Sequence, residues 1–345
     1  MKRNELNKDL FFSMTYDYLN IYIPQDSASR KTVKTYRDGL TVFRRYVTDT
    51  RGISIRDFTF SQCTFEFVLD YRNWLLDDQF RAKSTVNNRL AAIKSYMYYA
   101  AAKDISLQQI YFNISAVPFL KVEKRIRPII EDEETLKDLL NAPSNTKTGC
   151  RDVMILSILF NTMVRADELT RLNLSDVVLE SEVPFLKIHG KGGKERMTPM
   201  ANEMIPLIKS YKEEFHDPKL TRDSPFIYTV QHEKKNRMSE RNVERIVKKY
   251  ADMIRAKHSD LPESVYPHML RRTHATDLYR KGIAVEAIST VLGHASIQTT
   301  KDHYAFPSLL QKQEVVNVGG VVVTDTVEQE WPEDENELAR ICGLR

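Results

Sequence analysis

Apolar residues recur at steps of three and four through the first third of the chain, the period that lays one buried stripe along a helix. Val33, Tyr36, Leu40, Phe43 and Val47 form such a stripe over 32–48, with Lys34, Arg37, Arg44 and Arg45 on the opposite face. The same pattern predicts helices over 10–19, stopped by Pro24, over 65–76 and over 85–102. In the last of these Leu90, Ile93, Met97 and Ala100 face a core while Lys83, Arg89 and Lys94 face water. A helical bundle over residues 1–117 is the result. The stretch 118–128 is bounded by Pro118 and Pro128, which disfavour helix in the residues before them, and is dense in cations. It reads as an interdomain linker able to lie along a phosphate backbone.

Beyond residue 128 the periods mix. Helices are expected over 151–161 and 169–174, and strands over 183–188 and 195–200, joined by the glycine-rich hairpin turn His189-Gly190-Lys191-Gly192-Gly193-Lys194. An amphipathic helix over 241–256 places Val243, Ile246, Val247, Tyr250 and Ile254 on one side. Two more follow, 268–281 closed by Gly282 and 284–292 closed by Gly293, in the position where a left-handed cap is usual. Ser296 is suited to cap the helix that carries Tyr304. After Pro307 the pattern weakens to a short strand at 315–323 and a short helix at 333–342. The fold class predicted is mostly α with a small β-sheet (α+β), divided into 1–117, a linker at 118–128, a second domain at 129–312 and a tail at 313–345.

A length of 345 residues suits two domains. With a mean hydropathy of −0.43 and no apolar run longer than the one from Val153 to Phe160, no membrane-spanning helix is expected. The N-terminus has basic residues but no apolar segment behind them, which speaks against a secretory signal and for a cytoplasmic protein, nucleoid-associated if it handles DNA. Cys63, Cys150 and Cys342 are too few and too scattered for a disulfide framework or a CxxC metal site. The net charge of +4 hides an uneven distribution of +8 over 1–127, +2 over 128–312 and −6 over 313–345. A basic first third suits a polyanion, and an acidic tail suits a basic protein surface, such as another copy of the chain.

The eight histidines form no HExxH or HxxxH pair and the carboxylates form no DxD-type cluster, so no metal or other cofactor is expected. The hairpin lysines lack a following Ser or Thr and the loop joins strands instead of opening a helix, which excludes a P-loop. What remains is a spread-out set of cations, Arg165, Lys191, His268, Arg271 and His294, with Tyr304 behind them. Four segments carry them: Thr162-Met163-Val164-Arg165-Ala166-Asp167-Glu168-Leu169, then His189-Gly190-Lys191-Gly192-Gly193-Lys194-Glu195-Arg196, then Pro267-His268-Met269-Leu270-Arg271, then Leu292-Gly293-His294 followed by Thr299, Thr300 and Tyr304. In this order they resemble the tyrosine recombinase (phage integrase) family, of the two-domain type found in Xer proteins and transposon integrases. The resemblance covers about Arg127 to Pro307 by motif; the N-terminal segment, the family's SAM-like core-DNA-binding domain, matches in length, helicity and charge.

The resemblance implies a site-specific DNA recombinase that cleaves and rejoins strands through a 3′-phosphotyrosine and a Holliday junction, in integration and excision, resolution or inversion. Tyr304 is then the nucleophile, and Arg165 and Arg271 the planar donors that neutralise the two non-bridging oxygens. Lys191 is the general acid for the leaving 5′-oxygen, His268 assists proton transfer, His294 hydrogen-bonds the phosphate and Glu168 orients the others. Because the phosphotyrosine conserves bond energy, neither ATP nor a metal is required. The partners implied are double-stranded DNA with paired inverted-repeat half-sites and a homotetramer on that DNA, with the tail docking on a neighbouring subunit and no membrane. The alternatives are type IB topoisomerase-like relaxation and a non-catalytic DNA-binding protein of the same fold.

Taken singly, each residue has an ordinary reading. Arg165 and Glu168 suit a surface ion pair at i,i+3, Lys191 a solvated turn with Lys194 the alternative acid, and Tyr304 is one of 16 tyrosines. Two departures from the family pattern stand out. Met163 occupies the turn before Arg165 where the family usually has glycine, and Arg272 follows Arg271 where histidine is more common.

Overall fold

The computed structural model describes residues 8–26, 30–123, 127–190, 193–217, 221–232, 234–294, 296–304, 334–341 and 343. Its main helices begin with α1 Arg30–Arg45, α2 Phe65–Asp77, α3 Lys83–Lys103, α4 Gln108–Ser115, α5 Glu133–Asn141, α6 Lys147–Asn161 and α7 Ala166–Arg171. Strands β1 Val177–Val178, β2 Phe185–His189 and β3 Glu195–Pro199, helix α8 Met204–Phe215, and strands β4 Tyr228–Gln231 and β5 Lys234–Arg237 follow. The chain then returns to helix in α9 Glu240–Ile254, α10 Pro267–Arg280, α11 Val285–Leu292, α12 Ile297–Tyr304 and α13 Glu335–Ile341. Helices with small antiparallel sheets are the fold class that the periodicity predicts. The expected strand at 315–323 lies outside the described residues. No helix among them is long and apolar enough to cross a membrane. Two compact units result, one of Met1–Pro128 with Ala166–Asn242, the other of Ile129–Arg165 with Val243–Arg345.

In the first unit, residues up to 120 enclose an aromatic core. Phe11 lies 5.3–5.4 Å from Phe43, Phe58, Phe60 and Tyr96, centroid to centroid, in tilted and edge-on pairs. Leu40, Phe43 and Val47 of the predicted stripe are buried, with Val33 and Tyr36 packed at its margin. Pro24 does not stop the first helix. The backbone widens into a π turn over Tyr18–Tyr22, in which the Ile23 N–H reaches the Tyr18 carbonyl, and helix continues through Ile23–Asp26. Lys94 is a second correction: it is half-buried, and burial lowers its pKa. Its ammonium donates to the Ser115 carbonyl at 2.8 Å and lies 4.3 Å from the Phe119 ring, because α4, which the sequence pattern did not reveal, ends against it. The start of the expected linker is likewise tied down, since Leu120 exchanges two hydrogen bonds with the Asn87 side chain at 2.8 and 2.9 Å.

The remainder of this unit carries a three-stranded antiparallel sheet in the order β1-β2-β3 and a separate β4-β5 hairpin. β2 and β3 pair from Phe185↔Pro199 to His189↔Glu195, burying Leu186 and Ile188. Arg237 of β5 donates to the Thr170 and Leu172 carbonyls at 2.8 and 3.2 Å, satisfying the open C-terminal end of α7. β1 has two residues and β5 is entirely polar, so neither carries an alternating pattern.

In the second unit α6 buries Met154, Ile155, Leu156, Ile158 and Leu159 and packs against α10. Asp132 caps α5 through its carboxylate, 2.6 Å from the Thr135 N–H. His274 of α10 stacks on Phe160 at 4.6 Å and bonds the Phe160 carbonyl at 2.7 Å. Burial holds this imidazole below its ordinary pKa, against that hydrogen bond. The unfolded chain therefore takes up a proton that the native ring resists, so the stability contribution is complete above about pH 6.5 and is lost as pH falls below it. Burial lowers His216 as well, with the same sign. The denaturation midpoint should drop between about pH 7.5 and about pH 5.5, and drop less in His274→Gln; equal drops would clear His274 of the effect.

Candidate active site

The second unit assembles its site around a turn, a helix and a helix end. α6 closes at Thr162, and Met163 then adopts φ +52, a left-handed conformation that a side chain normally resists. The turn is held because the Met163 side chain is buried against Ala275, Ile288 and Leu292. Arg165 follows, half-buried. Met163→Gly should relieve roughly 1 kcal/mol of backbone strain but forfeit roughly 2–5 kcal/mol of packing, a net loss that urea denaturation measures. A gain in stability would show that strain outweighs packing.

α10 opens with Pro267 at its first turn, where a missing N–H costs nothing. His268 follows, exposed, and Arg271 sits one turn on, with 0% exposure. The Arg271 guanidinium is clasped by two backbone carbonyls from different segments. Nη1 donates to the Met163 carbonyl, and Nη2 donates to the Leu292 carbonyl at 2.7 Å. Leu292 ends α11, and Gly293, at φ +65 as expected of its position, turns the chain so that His294 comes back to the arginine. His294 Nε2 lies 3.3 Å from Arg271 Nη2, and its Nδ1 lies 2.8 Å from the buried Thr300 hydroxyl on α12. Ser296 caps α12 as predicted, 3.2 Å from the Gln298 N–H. Tyr304 is the last residue of α12, a helix packed against α10 and α11. Arg271 and His294 are thus brought together, with His268 one turn before Arg271 on α10 and Tyr304 on α12, which packs against α10 and α11.

Two further candidates belong to the first unit. Glu168 on α7 is buried, and Arg196 on β3 grips it with both guanidinium ends, Nη1 to Oε1 at 2.9 Å and Nη2 to Oε2 at 2.8 Å. Sequence reasoning missed Arg196 as the partner of Glu168, although it stands in the hairpin motif. Removing either partner leaves a buried charge uncompensated, at a cost of roughly 3–5 kcal/mol. Glu168→Ala and Arg196→Ala should each lower the denaturation midpoint strongly, and the double variant by much less than their sum. Strict additivity would show that the pair does not couple.

Lys191 lies outside the described residues, but the base of its hairpin is well fixed. The Gly190 N–H donates to the Lys194 carbonyl at 2.7 Å, so close that a Cβ on residue 190 would stand 2.9 Å from that oxygen. His189 bonds Asp176 through Nε2 at 2.9 Å and Glu195 through Nδ1 at 3.0 Å. The Lys187 ammonium, with help from His189, holds Glu195 below the usual carboxylate range. Among the described residues no group of three or more His, Cys, Asp and Glu side chains is arranged to hold a metal ion.

Comparison with known proteins places this arrangement. The phage integrase family matches residues 131–308, and the N-terminal SAM-like domain of phage integrases matches 16–104. The chain belongs to the phage integrase family. It is 28% identical over 312 residues to a tyrosine recombinase of Agathobacter rectalis, covering 87% of this chain and 94% of the relative. It is 31% identical over 227 residues to tyrosine recombinase XerC of Thermodesulfovibrio yellowstonii, covering 64% of this chain and 71% of the relative. The fold is that of the XerH site-specific recombinase bound to a palindromic difH substrate in a post-cleavage complex, with a TM-score of 0.67 at 18% identity over 92% of this chain and 85% of that one. The chain is an enzyme of site-specific DNA recombination.

Proposed function

We propose that the chain cleaves and rejoins double-stranded DNA at paired inverted-repeat half-sites, through a 3′-phosphotyrosine on Tyr304 and a Holliday junction, as a homotetramer on its DNA. The observation that carries this reading is the wholly buried Arg271, clasped by two carbonyls and adjoined by His294 on elements that pack against the helix of Tyr304. A guanidinium held so rigidly is pre-organised to meet the charge that develops on a phosphate under attack. Arg165 supplies the second planar donor, His268 assists the tyrosine's proton, His294 donates to a phosphate oxygen and Lys191 protonates the leaving 5′-oxygen. Glu168 acts on the hairpin through Arg196. Residues 1–117 grip the DNA with their basic helices, 118–128 form the linker, 129–312 perform the chemistry, and the acidic 313–345 dock on a neighbouring subunit. The place of work is the cytoplasm, at the nucleoid.

The test is a half-site with a nick beside the scissile phosphate, from which the short fragment bearing the freed 5′-hydroxyl diffuses away, leaving the enzyme trapped on the 3′-phosphate. A covalent complex mapped to Tyr304 is the expected result. No adduct, or one on another residue, overturns the reading.

A further inference from the structure

The contacts of His294 define where its proton sits. Nε2 lies 3.3 Å from Arg271 Nη2. A guanidinium only donates hydrogen bonds and keeps its charge in proteins, so Nε2 accepts in that contact. A neutral imidazole carries one N–H, which is then on Nδ1 and is donated to the Thr300 hydroxyl 2.8 Å away. In this tautomer Nε2 has no hydrogen to offer an anion. A phosphate oxygen, however, only accepts, so a ring that bonds the phosphate through Nε2 needs its proton there. Nδ1 then carries a lone pair and needs a donor. Of the common neutral side chains, a hydroxyl is one that satisfies both states from a single atom, because it accepts or donates by rotating.

We propose that Thr300 is a positioning residue that lets His294 exchange tautomers, Nδ1–H while the ring receives Arg271 and Nε2–H when it faces the scissile phosphate. The inference rests on the reading of His294 as a phosphate ligand. The proton on Nδ1 leaves to water and another is taken from water at Nε2, with no change in net charge; the ring is half-buried, which keeps it open to solvent. The Thr300 O–H rotates from accepting to donating, and the Arg271 N–H released from Nε2 turns to the same phosphate. Histidine and arginine donors are thereby delivered together, only when an anion is present to receive them. Thr300 itself has 0% exposure, on the helix that ends at Tyr304, and takes no part in the bond changes.

The test compares Thr300→Val, Thr300→Ser and His294→Ala with the full-length wild type on the nicked half-site, under single-turnover conditions at saturating protein. Thr300→Val keeps the shape and removes the hydroxyl, and should cut cleavage about 10- to 100-fold with half-site affinity unchanged, while Thr300→Ser stays within about threefold. Nitrogen-15 shifts of the His294 ring should show a protonated Nδ1 and a bare Nε2 in the free protein, reversing on binding the nicked half-site. Wild-type cleavage by Thr300→Val beside a defective His294→Ala overturns the role of Thr300. Wild-type cleavage by His294→Ala instead overturns the reading of His294 as a phosphate ligand. If Thr300→Val fails to fold, the wild-type spectra decide, and a ring whose tautomer is the same with and without DNA overturns the exchange.

Discussion

Tyr304→Phe should bind its half-site as tightly as the wild type and form no covalent protein–DNA adduct. The substitution removes one oxygen and leaves an aromatic side chain of the same outline at the end of α12, so the packing of that helix against α10 and α11 has no reason to change. The chemistry has every reason to change, because without the phenolic oxygen no bond to phosphorus can form. Loss of a nucleophile from a preassembled site costs on the order of 10⁴-fold or more in rate, since its partners cannot substitute for it. Gel-shift titration and denaturing electrophoresis of the nicked-substrate reaction separate the two effects. An adduct that persists in Tyr304→Phe, for instance on the neighbouring His303, would sink the assignment.

Arg271→Lys should lose both cleavage and stability, a combination not expected of an exposed catalytic cation. The guanidinium spans two carbonyls, from the turn at Met163 and the end of α11. An ammonium is a point donor on a flexible stem and cannot span both segments. One carbonyl is then left without its donor and the turn at 162–165 loses its tie to α11, at roughly 1.5–3 kcal/mol for each charge-assisted bond lost. Cleavage should fall about 10²–10³-fold, the size seen when one preorganised donor to a developing oxyanion is removed. Thermal denaturation beside single-turnover cleavage measures both. A variant that melts normally but cleaves poorly would show that the carbonyl contacts are incidental, and one that does neither would remove Arg271 from the site.

Much of this was legible along the chain. The stripe over α1, the two helices closed by Gly282 and Gly293, the pairing of the two strands that flank the glycine-rich turn and the cap at Ser296 are local matters, set by side-chain period and by φ values that one residue type tolerates, and all stand where the pattern puts them. The candidate residues were legible for a different reason: their types and their order along the chain resemble those of the tyrosine recombinase family.

What only the tertiary structure decided is which atom each of these residues holds. Sequence identifies Arg271 as a cation in a motif, but that its guanidinium is buried between the Met163 and Leu292 carbonyls follows from α6, α10 and α11 meeting, which no local period encodes. Lys94 reads as a wet lysine until α4 ends against it, and Glu168 reads as half of a surface pair until β3 brings Arg196 across to it. Thr300 meets His294 only because a left-handed turn at Gly293 turns the chain back. Local propensity is a property of a few neighbouring residues, whereas a buried charge or a left-handed methionine is fixed by partners tens to more than a hundred positions away, and so appears only when the chain is folded.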